Sequence, residues 1–284
     1  MADVEGHEPT ASEPTASELP ASEVPASELP ASELPAAGRR SPSPFLLGGL
    51  VVALVAAVAF VAVVLTHRAS SQGPVVTTLR PSGIPASVST PTANLMALSP
   101  VQPVVAPGFH LTDQLGRPTS LAPFRGKAVV LEFMDPHCVD ICPIVSQEFV
   151  DASHDLGRTG RHVVFLAINV NRYHASPAAM LAFSRQHDLV SIPSWRFVTG
   201  SYAALSRSWK DYNVQVEAPN PNADIIHTSV VYFISPSGQE RYLAMPQVDH
   251  RGKSNVAYLP ANQISQWGKG ISDVARSMLP ASAR

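Results

Sequence analysis

A mixed α/β sandwich is the fold class predicted for residues 107–284, and three observations carry it. Two nearly continuous apolar runs, Ala128 to Met134 and His162 to Val170, have the pattern of strands covered on both faces. Strand-like segments alternate with segments whose apolar residues recur at helical spacing. The chain's two cysteines, Cys138 and Cys142, directly follow the first apolar run, where a helix opens.

The elements follow in order. Phe109 to Leu121 reads as two short strands around a Gly-containing turn. Arg125-Gly-Lys127 turns into the strand Ala128 to Met134. Pro143 begins a helix to about Leu156, with Ile144, Val145, Phe149, Val150 and His154 near one side. His162 to Val170 is the next strand. Ser176-Pro177 supplies a cap and then proline at the first helical position, and that helix carries Met180, Leu181, Phe183 and Leu189. Trp195 to Val198 reads as a short strand and Ser201 to about Tyr212 as a helix. Ser229 to Ile234 and Glu240 to Met245 flank Pro236-Ser-Gly238, a hairpin with turn chemistry in place. The last helix, about Ala261 to Leu279, sets Ile264, Trp267, Ile271, Val274 and Met278 along a core stripe. A dithiol after an early buried strand, opening a helix within this order, fits a thioredoxin-like mixed sheet flanked by helices.

The residues before 107 have a different character. The formal net charge of -2 gives no basis for nucleic-acid binding, and the 27 prolines crowd the first hundred or so positions. Residues 1–44 hold an acidic Pro/Ala/Ser/Glu repeat of the form Ala-Ser-Glu-Leu-Pro. Its five-residue period matches neither helix nor strand, and it buries too little apolar surface to offset the entropy of ordering. Residues 45–65 carry no charged side chain, and a helix of that length spans roughly 30 Å, the thickness of a bilayer core. A signal-peptide apolar region is shorter, about 7–15 residues. Arg39 and Arg40 before the run favour a cytoplasmic N-terminus. Residues 66–106, rich in Ser, Thr and Pro, read as a semi-extended linker with room for short strands near its end. The expectation is a single-pass protein of the cytoplasmic membrane with its 107–284 domain on the outer side.

With no other thiols there is no disulfide framework, so Cys138 and Cys142 form either a redox couple or a soft metal site. A Cys-x-x-Cys pair is the usual redox signature. The extra residue here leaves room for a metal between two sulfurs while still allowing a disulfide to close. Pro143 at the first helical position puts Cys142 at or near the N-cap, where backbone N–H groups stabilise a thiolate, and leaves Cys138 the more exposed. Thiolates select Cu(I), zinc or iron–sulfur chemistry, and two of them leave a site incomplete. Of ten histidines, His227 is the best third ligand, at the mouth of the predicted strand Ser229 to Ile234. One imidazole with two thiolates suits trigonal Cu(I), or Cu(II) with a further ligand. His137 is either a modulator of Cys138 or a surface histidine. Asp135 and Asp140 flank the thiols, Asp140 reading as an exposed turn residue. His110, His154, His162, His174, His187 and His250 have no evident partner. A peroxidase would need a Thr-x-x-Cys pattern, and Asp135 stands three before Cys138.

The run Leu131-Glu-Phe-Met-Asp-Pro-His-Cys138-Val-Asp-Ile-Cys142-Pro143, with His227 before a strand, resembles the Sco/SenC family over roughly residues 107–282. Asp113-Gln-Leu-Gly116, Arg125-Gly-Lys127, Phe197-Val-Thr-Gly200 and Tyr232 to Gly238 add to the likeness. Two places depart from the family pattern: Asn169-Val-Asn-Arg172, where an acidic Asp-Pro segment is usual, and Val139, where a proline is common. The resemblance implies a membrane-tethered copper protein assisting assembly of the dinuclear copper centre of cytochrome c oxidase. It implies Cys138, Cys142 and His227 as ligands of Cu(I)/Cu(II), and the oxidase's copper-centre subunit as partner. A copper-donor chaperone or a thiol reductase would be a further partner. Such a protein is a metallochaperone more than a turnover enzyme. The alternative is a membrane-anchored thiol–disulfide oxidoreductase using Cys138 and Cys142 as its redox-active pair without stable copper binding.

Overall fold

The computed structural model describes residues 80–252 and 256–284. The acidic repeat, the apolar run 45–65 and the linker up to residue 79 lie outside the described residues. Among the described residues no helix is long and apolar enough to cross a membrane.

The centre of the domain is β4 (Ala128–Met134) beside β5 (Val163–Asn169), paired in parallel and buried at every position. Neither run alternates because helices cover both faces of the sheet. β6 (Arg196–Thr199) adds a third parallel strand, and β2 (His110–Asp113) and β3 (Pro118–Ser120) extend that side. On the other side β9 (Val231–Ile234) lies antiparallel to β4, followed by β10 (Gln239–Ala244) and the edge strand β1 (Ser99–Val105). The sheet order is therefore β1-β10-β9-β4-β5-β6-β2-β3. With α2 (Ile141–Leu156) joining β4 to β5, and α5 (Ala261–Met278) following the β9–β10 hairpin, this is the predicted thioredoxin-like arrangement.

Strand alternation divides the core in two. Ala128, Val130 and Met134 of β4 face Phe149 of α2, Phe183 of α3 (Pro177–Gln186) and Trp267 of α5. Val129, Leu131 and Phe133 face Leu205 and Trp209 of α4 (Tyr202–Asp211). The predicted cap of α3 is present: Ser176 Oγ accepts from the Ala179 N–H at 3.2 Å, with Pro177 at the start. Gly238, at φ +75, closes the predicted β9–β10 turn.

Three expectations are corrected. The domain begins well before 107, because α1 (Thr90–Leu95) packs on α5 and β1 belongs to the sheet, so residues 90–105 are not linker. α2 begins at Ile141 rather than Pro143, since a first-turn N–H has no intrahelical partner and proline costs nothing there. Short strands outside the expected set also occur: β7 (Val216–Glu217) with β8 (Ile226–His227), and β11 (Asp249–Arg251) with β12 (Val256–Tyr258).

α2 and α5 pack almost backbone to backbone at Gly268. A Cβ there would stand 2.6 Å from the Asp151 Cβ and 3.0 Å from the Glu148 carbonyl oxygen. Gly268→Ala should therefore destabilise the domain by about 1–3 kcal/mol despite alanine's better helix propensity. A thermal melt at or above the parent's would refute that close approach.

Two carboxyls, Glu132 and Glu148, are buried behind the thiols. Ser229 Oγ donates to Glu132 Oε1 at 3.1 Å, whereas Oε2 of each glutamate has no hydrogen-bond partner. Burial pushes the Glu132 carboxyl up to about 8, and burial with the Glu132 charge raises Glu148. When unfolded, Glu132 ionises near the ordinary 4.5; when folded, it keeps its proton to about 8. Across that window the unfolded chain binds fewer protons, so stability falls as pH rises. The slope is at most about 1.4 kcal/mol for each step of one in pH. Glu132→Gln removes this titration. Its melting temperature should fall less than the parent's between about pH 5 and about pH 9, and identical slopes would count against a buried neutral acid.

Candidate functional site

The thiols bracket the connection from β4 to α2. A turn in which the Cys138 N–H donates to the Asp135 carbonyl (3.1 Å) brings Cys138 back over the helix start. There the Cys142 N–H, free in the first turn, donates to Cys138 Sγ at 3.4 Å. Both cysteines are free thiols; Cys138 is half-buried and Cys142 buried, the order of exposure the sequence predicts. Cys142 lies in the first turn, near the helix N-cap as expected, the N-cap itself being Asp140.

This geometry separates the two acidities. A hydrogen bond from the Cys142 thiol, outweighing burial and aided by the Cys142 and Asp140 N–H groups, lowers Cys138 to about 7. The same hydrogen bond, with burial and the charges of Cys138 and Glu132, holds Cys142 well above the usual thiol range. One sulfur is thus poised to be a thiolate at neutral pH while its neighbour keeps the proton.

His227 stands on β8, paired in register with Val216. Its Nδ1 lies 3.0 Å from the Thr228 carbonyl oxygen, which can only accept, so Nδ1 carries the hydrogen. Burial lowers the imidazole pKa, against the opposing effects of that carbonyl and of Asp135. The ring is therefore neutral near pH 7, with its Nε2 lone pair available to a metal. Asp135 acts electrostatically on both Cys138 and His227. Among the described residues no three His, Cys, Asp or Glu side chains are gathered into a metal-holding cluster. The structure joins Cys138 to Cys142 and does not close His227 onto them. In chemical type, two sulfurs and one neutral imidazole still form a soft donor set that fits copper.

A polar network missed by sequence reasoning supports the thiol loop. Asp135 Oδ1 accepts from the His137 N–H (2.8 Å) and from Asn171 Nδ2 (2.9 Å). Asn171 Oδ1 in turn accepts from the Tyr173 and His174 N–H groups, and Asn169 Oδ1 accepts from the Asn171 N–H. Asn169 and Asn171 belong to the segment that departs from the family pattern. The His137 ring stacks on His174, with centroids 3.6 Å apart. Asp140 is exposed, as expected, and is in addition held by His250 Nε2 at 3.0 Å and 3.2 Å.

The acidity split makes a specific expectation. Under limiting iodoacetamide, Cys138 should be alkylated at a rate rising through about pH 7, and Cys142 only after denaturation. Cys142→Ala should move the Cys138 midpoint upward, because the donor thiol is lost. Peptide mass spectrometry reads both, and equal labelling of the two cysteines would contradict the split.

The SCO1/SenC family model matches residues 99–253, more than half of the chain. The chain is similar to the SCO1 protein homolog of Bacillus subtilis, 25% identical over 152 residues that make up 53% of this chain and 75% of that protein. It is 27% identical over 138 residues to the human mitochondrial SCO2 homolog, covering 46% of this chain and half of that one (50%). The structure of Bradyrhizobium japonicum ScoI with copper bound overlays at a TM-score of 0.46 and 20% identity, over 61% of this chain and 99% of that one. With a family model spanning its thiol loop, His227 and the central sheet, the chain belongs to the SCO1/SenC family.

Proposed function

We propose that this protein carries Cu(I) on Cys138 and Cys142, with His227 as third ligand, and delivers it to the dinuclear copper centre of cytochrome c oxidase. Copper is cargo, and the copper-centre subunit of the oxidase is the receiving partner. The observation that carries the reading is the paired free thiols at the α2 start, with a neutral, half-buried imidazole that feels the charge of Asp135 in the same loop. Membership of the family adds to it. Cys138 binds as the thiolate it already tends to be, and Cys142 gives up its proton on binding, so uptake releases protons and strengthens with pH. Release proceeds by exchange of sulfur ligands with the partner. Residues 45–65 serve as the single membrane anchor, placing the domain on the outer side of the cytoplasmic membrane.

The acidity split also favours the second reading, thiol–disulfide exchange. A half-buried Cys138 thiolate attacks a partner disulfide, and the buried Cys142 then resolves the mixed disulfide.

Copper per chain, measured anaerobically on the reduced full-length protein, separates the two. One equivalent is expected, lost in Cys138→Ser and in Cys142→Ser, and held more weakly in His227→Ala. Unchanged stoichiometry in either cysteine variant would overturn the two-sulfur site. A parent that holds no copper but cycles a disulfide reversibly would move the assignment to thiol–disulfide exchange.

A further inference from the structure

The domain has a second concentration of chemistry at the sheet edge opposite the thiols. Lys127 precedes β4, residues 157–162 lead into β5 and residues 193–196 into β6, so three parallel strands begin around one cavity of about 740 Å³. Lys127, Arg158, Arg161, Arg196 and His154 line it, and no aspartate or glutamate does. Gly157–His162 is a 3-10 helix, in which residues three apart eclipse, so Arg158 and Arg161 project from one side. Phe124 adds an apolar wall. The seven residues of β4, at about 3.3 Å each, put this edge roughly 20 Å from the thiol loop.

Four fixed cations around one cavity with no carboxylate in its lining require an explanation. Ion pairing does not supply it. Arg196 lies 3.8 Å from Asp113, a long contact, and Lys127, Arg158 and Arg161 have no ion-pair partner among the described residues. The C-terminus of α2 does not supply it either, because a helix end carries only about half a negative charge. Clustered like charges repel, and an anion removes that cost. The volume falls within the roughly 300–1,000 Å³ of small-ligand sites. Guanidinium forks match phosphate oxygens two at a time, and an ammonium adds a point charge.

We propose that this cavity binds a phosphate-bearing anion, gripped by Arg158 and Arg161 and flanked by Lys127 and Arg196. The site is independent of copper and of the thiols.

The test titrates the full-length protein, in non-ionic detergent, with inorganic pyrophosphate and separately with dibutanoyl phosphatidic acid. Calorimetry should show saturable binding of one equivalent, weakening as salt is added. Pyrophosphate binding would identify a free phosphate as the source; binding of the lipid analogue alone would identify a headgroup. Arg158→Glu with Arg161→Glu, both exposed, should weaken binding tenfold or more while leaving the melting temperature and Cys138 alkylation unchanged. Arg158→Gln with Arg161→Gln repeats the test without introducing opposite charges. Failure of both probes to bind, or affinities in the variants within about twofold of the parent's, would overturn the proposal.

Discussion

The junction between β4 and α2 is the constraint on which the chemistry depends. β4 is hydrogen-bonded to β5 on one side and β9 on the other, so the point where it ends, Met134, has little freedom. α2 must then open within a few residues, and its first turn offers N–H groups with no partner of their own. One of these, on Cys142, is met by the sulfur of Cys138. The two thiols are chemically identical, yet one collects donors and the other lies beneath it in the core. Their difference in acidity comes from position alone.

The buried glutamates show what surrounds that junction. Glu132 shares the face of β4 that packs on α2, and its charge acts on both Cys142 and Glu148. Any negative charge that develops on the thiols has acidic neighbours already in place. Burial keeps Glu132 protonated near neutrality, which limits the repulsion the thiols meet.

The central elements were legible because their residues are under strong constraint. Ala128–Met134 and Val163–Asn169 are apolar almost throughout since little that is polar fits between two helical layers, and Ser176-Pro177 is a start signal with a geometric basis. β1 was legible only as a short strand near the end of the linker, for the opposite reason. Ser99-Pro-Val-Gln-Pro-Val-Val105 lies at an edge, pairs only with β10 and is largely exposed, so prolines are tolerated and no alternation is imposed. At the site, the thiols stood out because cysteine is scarce here, and His227 because a soft site lacked a third donor. The Asp135–Asn171 contact was invisible because its partners lie 36 residues apart and either residue alone looks like loop.

The clasp between Asp140 and His250 joins positions 110 residues apart. β9, which shields one flank of β4, likewise enters the sheet from the second half of the chain. A chain made from its N-terminus therefore exposes Cys138 and Cys142 long before the segments that enclose them exist. In an oxidising compartment, the race between closing the sheet and oxidising the sulfurs is set by topology, and contacts this distant in sequence form slowly.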